Sequence, residues 1–196
     1  MRLFVRPHQR VRRRAARADG SLSGGRTSAL LLAFVEDPQA RIWQVIILRK
    51  SVPGLGAVAL ARFITRVCRE IPLNGAVNLL VSDSAELRRL NRRFRGKDKA
   101  TDVLSFPPIS AVEDSLAGDI AISANVAVVN ARRLGHTAAE EVKILAVHGL
   151  LHLAGYDHET DAGRMARKEQ ALRKKLGLPI GLIARNGGSR ARGRSR

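Results

Sequence analysis

The chain is organised around one stretch of sequence, Val142-Lys-Ile-Leu-Ala-Val-His148-Gly-Leu-Leu-His152-Leu-Ala-Gly155-Tyr-Asp-His158. From Val142 to Leu153 this stretch is apolar on nearly all sides, which predicts a buried central helix. His148 and His152 are four residues apart and therefore project from the same face of that helix. Burying two imidazoles in this way is costly unless each has a partner.

A third histidine, His158, can join the pair only if the helix ends first. On a continuing helix, His158 would lie about 9 Å beyond His152, at about 1.5 Å of rise per residue. Gly155 allows the chain to turn back towards the pair, because glycine just past a helix end readily takes the left-handed conformation. The spacing therefore predicts a metal site of three imidazoles. A zinc ion held this way keeps its fourth coordination position open, as catalytic zinc does.

Most of the formal net charge of +18 comes from the two ends of the 196-residue chain. Residues 1–26 hold eight Arg against one Asp, and residues 185–196 hold five Arg and no acid, which leaves 22 basic and 16 acidic residues in 27–184. Both ends lack an apolar period, which predicts disorder. They are either arms that bind RNA or the ribosome, or solubilising extensions. We expect an extension over 1–36, one domain over 37–180 and a basic tail over 181–196.

Composition excludes several protein classes. The chain has one cysteine, Cys68, so it has no internal disulfide and no cysteine-rich zinc site, and it suits a reducing cytoplasm. Cys68 lies on an apolar-periodic segment, which predicts a small core residue and not a nucleophile. The apolar run 29–35 is too short for a signal peptide, and no run approaches the roughly 20 apolar residues of a membrane span. We therefore expect a cytoplasmic protein without a membrane partner.

Helical and strand periodicities alternate along the domain, which predicts an α+β fold around a small mixed β-sheet. The sequence Thr137-Ala-Ala-Glu140 predicts a capping box at the start of the histidine-bearing helix. We expect strands at 42–48, 77–81, 103–106 and 119–122, an acidic loop ending at 114, and further helices at 55–71, 84–94, 123–134 and 161–176.

A second informative segment is Leu90-Asn-Arg-Arg-Phe-Arg95-Gly96-Lys97-Asp-Lys99-Ala-Thr101-Asp102-Val-Leu-Ser-Phe106. A helix ends near Arg95-Gly96, and a basic loop leads into a strand. Arginine offers a planar fork of donors that suits a phosphate, and Lys97 and Lys99 lie close by in sequence. The alternative is a solvated basic loop, with Thr101-Asp102 as structural capping of the strand.

The histidine stretch, the segment from Leu90 to Phe106 and Gly118-Asp119-Ile120 together resemble the YbeY family of bacterial metal-dependent endoribonucleases over roughly residues 37–180. The resemblance implies a zinc site of His148, His152 and His158, and a functional role for Arg95. It also implies an α+β fold whose metal helix is zincin-like. The implied role is maturation of the 3′ end of small-subunit ribosomal RNA and ribosome quality control. The implied partners are ribosomal RNA and the small ribosomal subunit with its proteins, and no small-molecule cofactor is implied. Ala100 and Ala117 depart from the usual proline and leucine of the family.

Gly149 stands where the helical zinc-peptidase motif H-E-x-x-H keeps its general base. Two solutions are open for an RNA-cleaving enzyme: a zinc-bound hydroxide acts alone, or a carboxylate such as Asp119 or Asp157 substitutes. Asp119 is otherwise an orienting partner of a ligating imidazole or only a loop carboxylate, and Asp157 otherwise satisfies backbone donors in the turn. The glycine could also leave room beside the metal for a sugar-phosphate.

Three functions remain open from the sequence. The first is a zinc endoribonuclease in which His148 and Arg95 are catalytic and Arg95, Lys97 and Lys99 bind RNA. The second is a zinc peptidase, which needs the base that Gly149 denies it. The third is a ribosome-binding assembly factor whose zinc is structural, against which an open site of three histidines argues.

Overall fold

A computed structural model describes residues 31–37, 42–108 and 116–179. In this part of the chain, one five-stranded sheet has the order β1-β2-β3-β5-β4. β2 and β5 run parallel to β3, and the outer strands β1 and β4 pair antiparallel with β2 and β5. The predicted mixed sheet is therefore confirmed. Its strands are β1 (Leu31–Asp37), β2 (Ile42–Leu48), β3 (Gly75–Ser82), β4 (Val103–Phe106) and β5 (Leu116–Ser123).

The five predicted helices are confirmed, with small shifts at their ends. α1 begins later than expected, because Gly56 has the extended backbone of an N-cap, and α5 begins after a turn in which the Asp161 side chain accepts from the Met165 backbone N–H at 2.7 Å. Among the described residues, no helix is long and apolar enough to cross a membrane. The helices are α1 (Ala57–Cys68), α2 (Ser84–Arg95), α3 (Ala124–Leu134), α4 (Ala138–Leu153) and α5 (Arg164–Leu176).

The first strand was not predicted. β1 pairs with β2 from Leu31 opposite Leu48 to Asp37 opposite Ile42, so the predicted extension over 1–36 overlaps the sheet at residues 31–36. The apolar run in this segment lacks the alternation that marks a strand with one solvated face. Its pairing partner, β2, follows only after it in the chain. The predicted basic ends before residue 31 and after residue 179, and most of the acidic loop, lie outside the described residues.

The two faces of the sheet are covered unequally. On one face, side chains such as Leu79, Ile120 and Ile122 belong to the main core together with residues of α1, α4 and α5. On the other face, Leu104 and Ala121 form a small cluster with Leu87 of α2. Because side chains alternate between faces along a strand, each residue of β4 and β5 can be assigned to the α4 side or the α2 side.

Helix α4 is the buried helix that the sequence predicted. Eleven of its sixteen residues are buried, and it packs against α1, α3, α5, β4 and β5. The predicted capping box is present, since the Thr137 side chain accepts from the Glu140 N–H and the Glu140 carboxylate accepts from the Thr137 N–H. This packing fixes the position of the helix from which the metal-ligand candidates project.

Candidate metal centre

Three histidines meet at the C-terminal end of α4. One ligand atom each from His148, His152 and His158 lies within 4.8 Å of the other two. The Nε2 atoms of His148 and His152 are 3.1 Å apart, and the ring of His158 lies 5.3 Å from each of the other two rings. His148 is buried, His152 is half-buried and His158 is exposed. The cluster therefore opens to solvent at His158.

A turn directly after α4 brings His158 back to the helix. Gly155 has φ +83°, a conformation that L side chains rarely adopt. Its N–H donates to the His152 carbonyl at 3.0 Å, and the Tyr156 N–H donates to the Leu151 carbonyl at 3.0 Å. These bonds satisfy carbonyls that the end of the helix leaves free. The predicted role of Gly155 is confirmed.

Asp157 holds the next part of this turn. Its carboxylate accepts from the Glu159 backbone N–H at 3.1 Å and from the Thr160 hydroxyl at 2.9 Å. These two hydrogen bonds lower the pKa of the Asp157 carboxyl. A carboxylate stabilised in its charged form is a weaker base. Of the two interpretations of Asp157, the structural one is therefore favoured.

The environment of His152 favours the neutral form of its imidazole. Burial lowers its pKa to about 4, and repulsion from His148 and His158 acts in the same direction, against an opposing hydrogen bond with the Tyr156 backbone. His152 is therefore neutral at neutral pH and has a lone pair to offer. Metal ligation requires neutral imidazole, so this donor set fits a metal ion that takes imidazole ligands.

The second nitrogen of the His148 ring faces a carboxylate. His148 Nδ1 is buried and has no hydrogen-bond partner, and Glu169 Oε1 of α5 lies 3.7 Å from it. Both side chains are almost fully buried, at 7% and 4% exposure. We did not predict this residue from the sequence. The available signal was a charged residue on the buried face of α5, between Met165 and Leu172.

Gly149 is a packing residue. A Cβ at this position would lie 3.0 Å from Ser105 Oγ and 3.1 Å from two carbons of Ile120. The glycine therefore lets α4 lie close to β4 and β5. The expectation that it leaves room for a sugar-phosphate is wrong, because the space is occupied by the sheet.

Asp119 faces away from α4. Its neighbour Ile120 packs towards Gly149, so Asp119 points to the opposite side of β5. There the Asn78 side-chain amide donates to Asp119 Oδ1 at 2.8 Å. Neither the predicted contact with a ligating imidazole nor the role of general base fits this placement. The buried carboxylate beside the His148 ring is Glu169.

Arg95 lies at the β4 edge of the sheet, close to α4. It is the last residue of α2, and its Nη2 donates to the Ser105 carbonyl on β4 at 3.4 Å. The Ser105 hydroxyl in turn donates to the Gly149 carbonyl on α4 at 3.3 Å. Two contacts thus connect the exposed guanidinium to the residue that follows His148.

Side chains of α2 hold the loop after Arg95 in place. Asp98 makes a two-point ion pair with Arg88 at 2.7 and 2.8 Å, and the Asn91 side chain donates to the Lys99 carbonyl at 2.8 Å. Lys97 and Lys99 themselves are exposed. The structure therefore presents both lysines to solvent on a loop that is anchored to α2.

Comparison with known proteins gives a family for the chain. The family model described as Endoribonuclease YbeY matches residues 57–177. A protein named Endoribonuclease YbeY from Koribacter versatilis is 53% identical over 141 residues, which cover 72% of this chain and 91% of that protein. A protein of the same name from Solibacter usitatus is 49% identical over 137 residues, covering 70% and 90%. A solution structure of a Thermotoga maritima protein is 30% identical, covers 69% of this chain and 87% of that chain, and has a TM-score of 0.46. On the sequence matches, this chain belongs to the YbeY family.

Proposed function

We propose that this protein is a zinc-dependent endoribonuclease that cleaves single-stranded RNA. We further propose that it acts in the cytoplasm on the 3′ end of small-subunit ribosomal RNA and in ribosome quality control, with the small subunit and its proteins as partners. The relatives named endoribonuclease support the activity, and the resemblance noted in the sequence supports the biological role. The proposed enzyme domain runs to residue 180 and includes β1, so it begins before the expected boundary at residue 37. The basic ends at 1–30 and 181–196 are its proposed extensions.

One observation carries the proposal: three imidazoles converge within 4.8 Å, and the outermost of them, His158, is exposed. His148, His152 and His158 would hold the ion and leave solvent access on one side. A zinc ion in such an open site supplies Lewis-acid chemistry at a phosphoryl oxygen and lowers the pKa of water. Helix α4 would then supply two zinc ligands as the metal helix of a zincin does, but without the glutamate base.

The cationic residues of the chain would bind and orient the RNA. Cleavage of a phosphodiester increases the negative charge on the non-bridging oxygens, and a fixed cation stabilises that charge. Arg95 is suited to this because its exposed fork lies beside Ser105 at the edge of the sheet. Lys97 and Lys99, exposed on the anchored loop, would bind neighbouring phosphates. In this proposal Arg95 and His148 are the catalytic residues.

Packing around Gly149 argues against a peptidase. A glutamate there would begin with a Cβ 3.0 Å from Ser105 Oγ and 3.1 Å from Ile120, so both side chains would have to move by a few tenths of an ångström to admit the base of the H-E-x-x-H motif. A ribosome-binding factor with structural zinc is the second candidate. It is less favoured because structural zinc usually has four protein ligands.

The decisive experiment compares purified wild type, His148→Ala and Arg95→Glu on single-stranded and structured ribosomal RNA, with zinc content measured on the same samples. We expect His148→Ala to lose metal and cleavage together, and Arg95→Glu to keep metal and lose cleavage. Arg66→Glu is the matched charge reversal. Arg66 is exposed on α1, which packs at the opposite edge of the sheet. This variant should retain both zinc and cleavage.

Two results would overturn the proposal. Cleavage by zinc-free His148→Ala at the wild-type rate would show that the activity does not need the metal centre. Zinc-loaded wild type that binds ribosomal RNA but leaves it intact would favour the assembly factor.

A further inference from the structure

We infer that Glu169 is a positioning residue of the metal centre: its carboxylate accepts a hydrogen bond from the Nδ1–H of His148 and so directs His148 Nε2 towards the ion. The inference rests on the proposed zinc site. It concerns the residue that holds the ligand, and it does not depend on which substrate the protein cleaves.

The geometry assigns different roles to the two nitrogens of the His148 ring. Nε2 faces the cluster, 3.1 Å from His152 Nε2. Nδ1 lies on the other side of the ring, where it is buried without a hydrogen-bond partner, and Glu169 Oε1 is 3.7 Å away. A buried N–H without an acceptor costs about 1–3 kcal/mol. A shift of about 0.5 Å by either side chain would bring the two atoms to about 3.2 Å, which is a hydrogen-bonding distance.

The carboxylate is built into the interface between α4 and α5. Glu169 projects from the buried face of α5 and is almost fully buried. It borders a small recess whose other lining residues are Ile144, Val147, Arg173 and Leu178. Burying a carboxylate in such surroundings costs free energy unless hydrogen bonds or an opposite charge offset its desolvation. The ring of His148 is one such partner.

Glu169 is placed to orient a ligand and not to be one. It is not among the described residues that offer an atom to the converging group, which consists of the three histidines alone. Its oxygen approaches Nδ1, the nitrogen on the far side of the ring from His152. A carboxylate in this position fixes the tautomer and the orientation of the imidazole and increases its basicity as a ligand. Loss of such a partner typically costs about 10–100-fold in metal affinity.

The test measures zinc affinity directly, by competition with a chromophoric chelator, in wild type and in Glu169→Gln. The amide keeps the shape of the side chain but loses the charge, so the fold should be retained. We expect zinc affinity to fall about tenfold or more. Glu169→Asp, which keeps the charge on a shorter side chain, should recover part of the loss. Long-range ¹H–¹⁵N spectra of the zinc-bound protein should show a protonated Nδ1 on His148 that shifts in Glu169→Gln.

Glu141→Gln is the matched control. Glu141 is also a fully buried carboxylate paired with a histidine, since His136 Nε2 lies 2.7 Å from its Oε2. His136 is not in the metal cluster, so this variant should change stability and leave zinc affinity at the wild-type value.

The outcomes separate this inference from the proposed function. If Glu169→Gln binds zinc within twofold of wild type, or if Glu141→Gln loses as much affinity, Glu169 is a structural residue only. If His148 coordinates through Nδ1, the inference is wrong even when affinity falls. If wild type itself binds no zinc, the proposed metal centre fails, and the role of Glu169 fails with it.

Discussion

Ser105 and Gly149 join the β4 edge of the sheet to α4, because the Ser105 hydroxyl donates to the Gly149 carbonyl at 3.3 Å and lies 3.0 Å from where a Cβ on Gly149 would be. The same strand residue accepts from Arg95 through its own carbonyl. The distance between Arg95 at the β4 edge and the histidine cluster on α4 therefore depends on how closely α4 approaches β4.

Gly149→Ala should destabilise the protein despite the better helix propensity of alanine. The added methyl group would meet Ser105 Oγ at 3.0 Å and Ile120 at 3.1 Å. Overpacking costs about 1–3 kcal/mol, against a propensity gain of about 1 kcal/mol. We expect a net loss near 1 kcal/mol, seen as a melting temperature lower by about 2–4 °C. In a Ser105→Ala background the loss should be smaller. Strict additivity of the two substitutions would contradict the contact.

Zinc should stabilise the folded protein, and a chelator should reverse the effect. At a free zinc concentration about 100-fold above the dissociation constant, binding contributes about 2.7 kcal/mol, which corresponds to a rise in melting temperature of roughly 5–10 °C. His158→Ala offers a clean comparison because His158 is exposed. The metal-free variant should melt like metal-free wild type and should lose the zinc-dependent rise. A full rise in this variant would remove His158 from the ligand set.

Lys97→Ala and Lys99→Ala should each weaken RNA binding mainly at low salt. A lysine that contacts a phosphate of single-stranded RNA contributes about 0.7 to the slope of log affinity against log salt concentration. The slope should therefore decrease by about that amount in each variant, with zinc content unchanged. Lys175→Ala removes the same charge from a lysine that is paired with Glu70 at 2.7 Å, and its slope should match wild type. Equal slopes in all four proteins would mean that the loop is only a solvated basic segment.

The thiol of Cys68 should react slowly in the native state. Burial raises its pKa to about 12, and its exposure is 3%. Because a raised pKa keeps the group protonated as the thiol below that value, almost no reactive thiolate is present at pH 8. Since Cys68 is the one cysteine in the sequence, Ellman's reagent reports on it alone. We expect slow labelling in buffer and fast labelling in denaturant. Rapid labelling of the native protein would place Cys68 outside the core.

The elements that the sequence predicted well are those with strong local signals. The capping box at Thr137 and Glu140 and the period of α4 are properties of adjacent residues, so they are readable without knowledge of the fold. The spacing of His148, His152 and Gly155 is equally local, because helix geometry fixes which face each residue occupies. β1 was missed because its main evidence is a pairing with β2, and its own sequence shows no alternation.

The contacts that complete the site come from segments far apart in the chain. Glu169 reaches His148 only because α5 folds back on α4, and no spacing rule connects the two positions. The role of Asp119 stayed open for a related reason: a strand residue faces one of two sides, and only the packing of Ile120 on Gly149 shows which.

The sequence by itself determined the converging histidines, the turn at Gly155 and the class of fold, since these depend on helix geometry and on the distribution of apolar residues. The tertiary structure decided the surroundings of that cluster. It placed the sheet against Gly149, Arg95 at the β4 edge and the Glu169 carboxylate beside His148. Such neighbours depend on how helices and strands pack in three dimensions, and long-range packing leaves no fixed spacing along the chain.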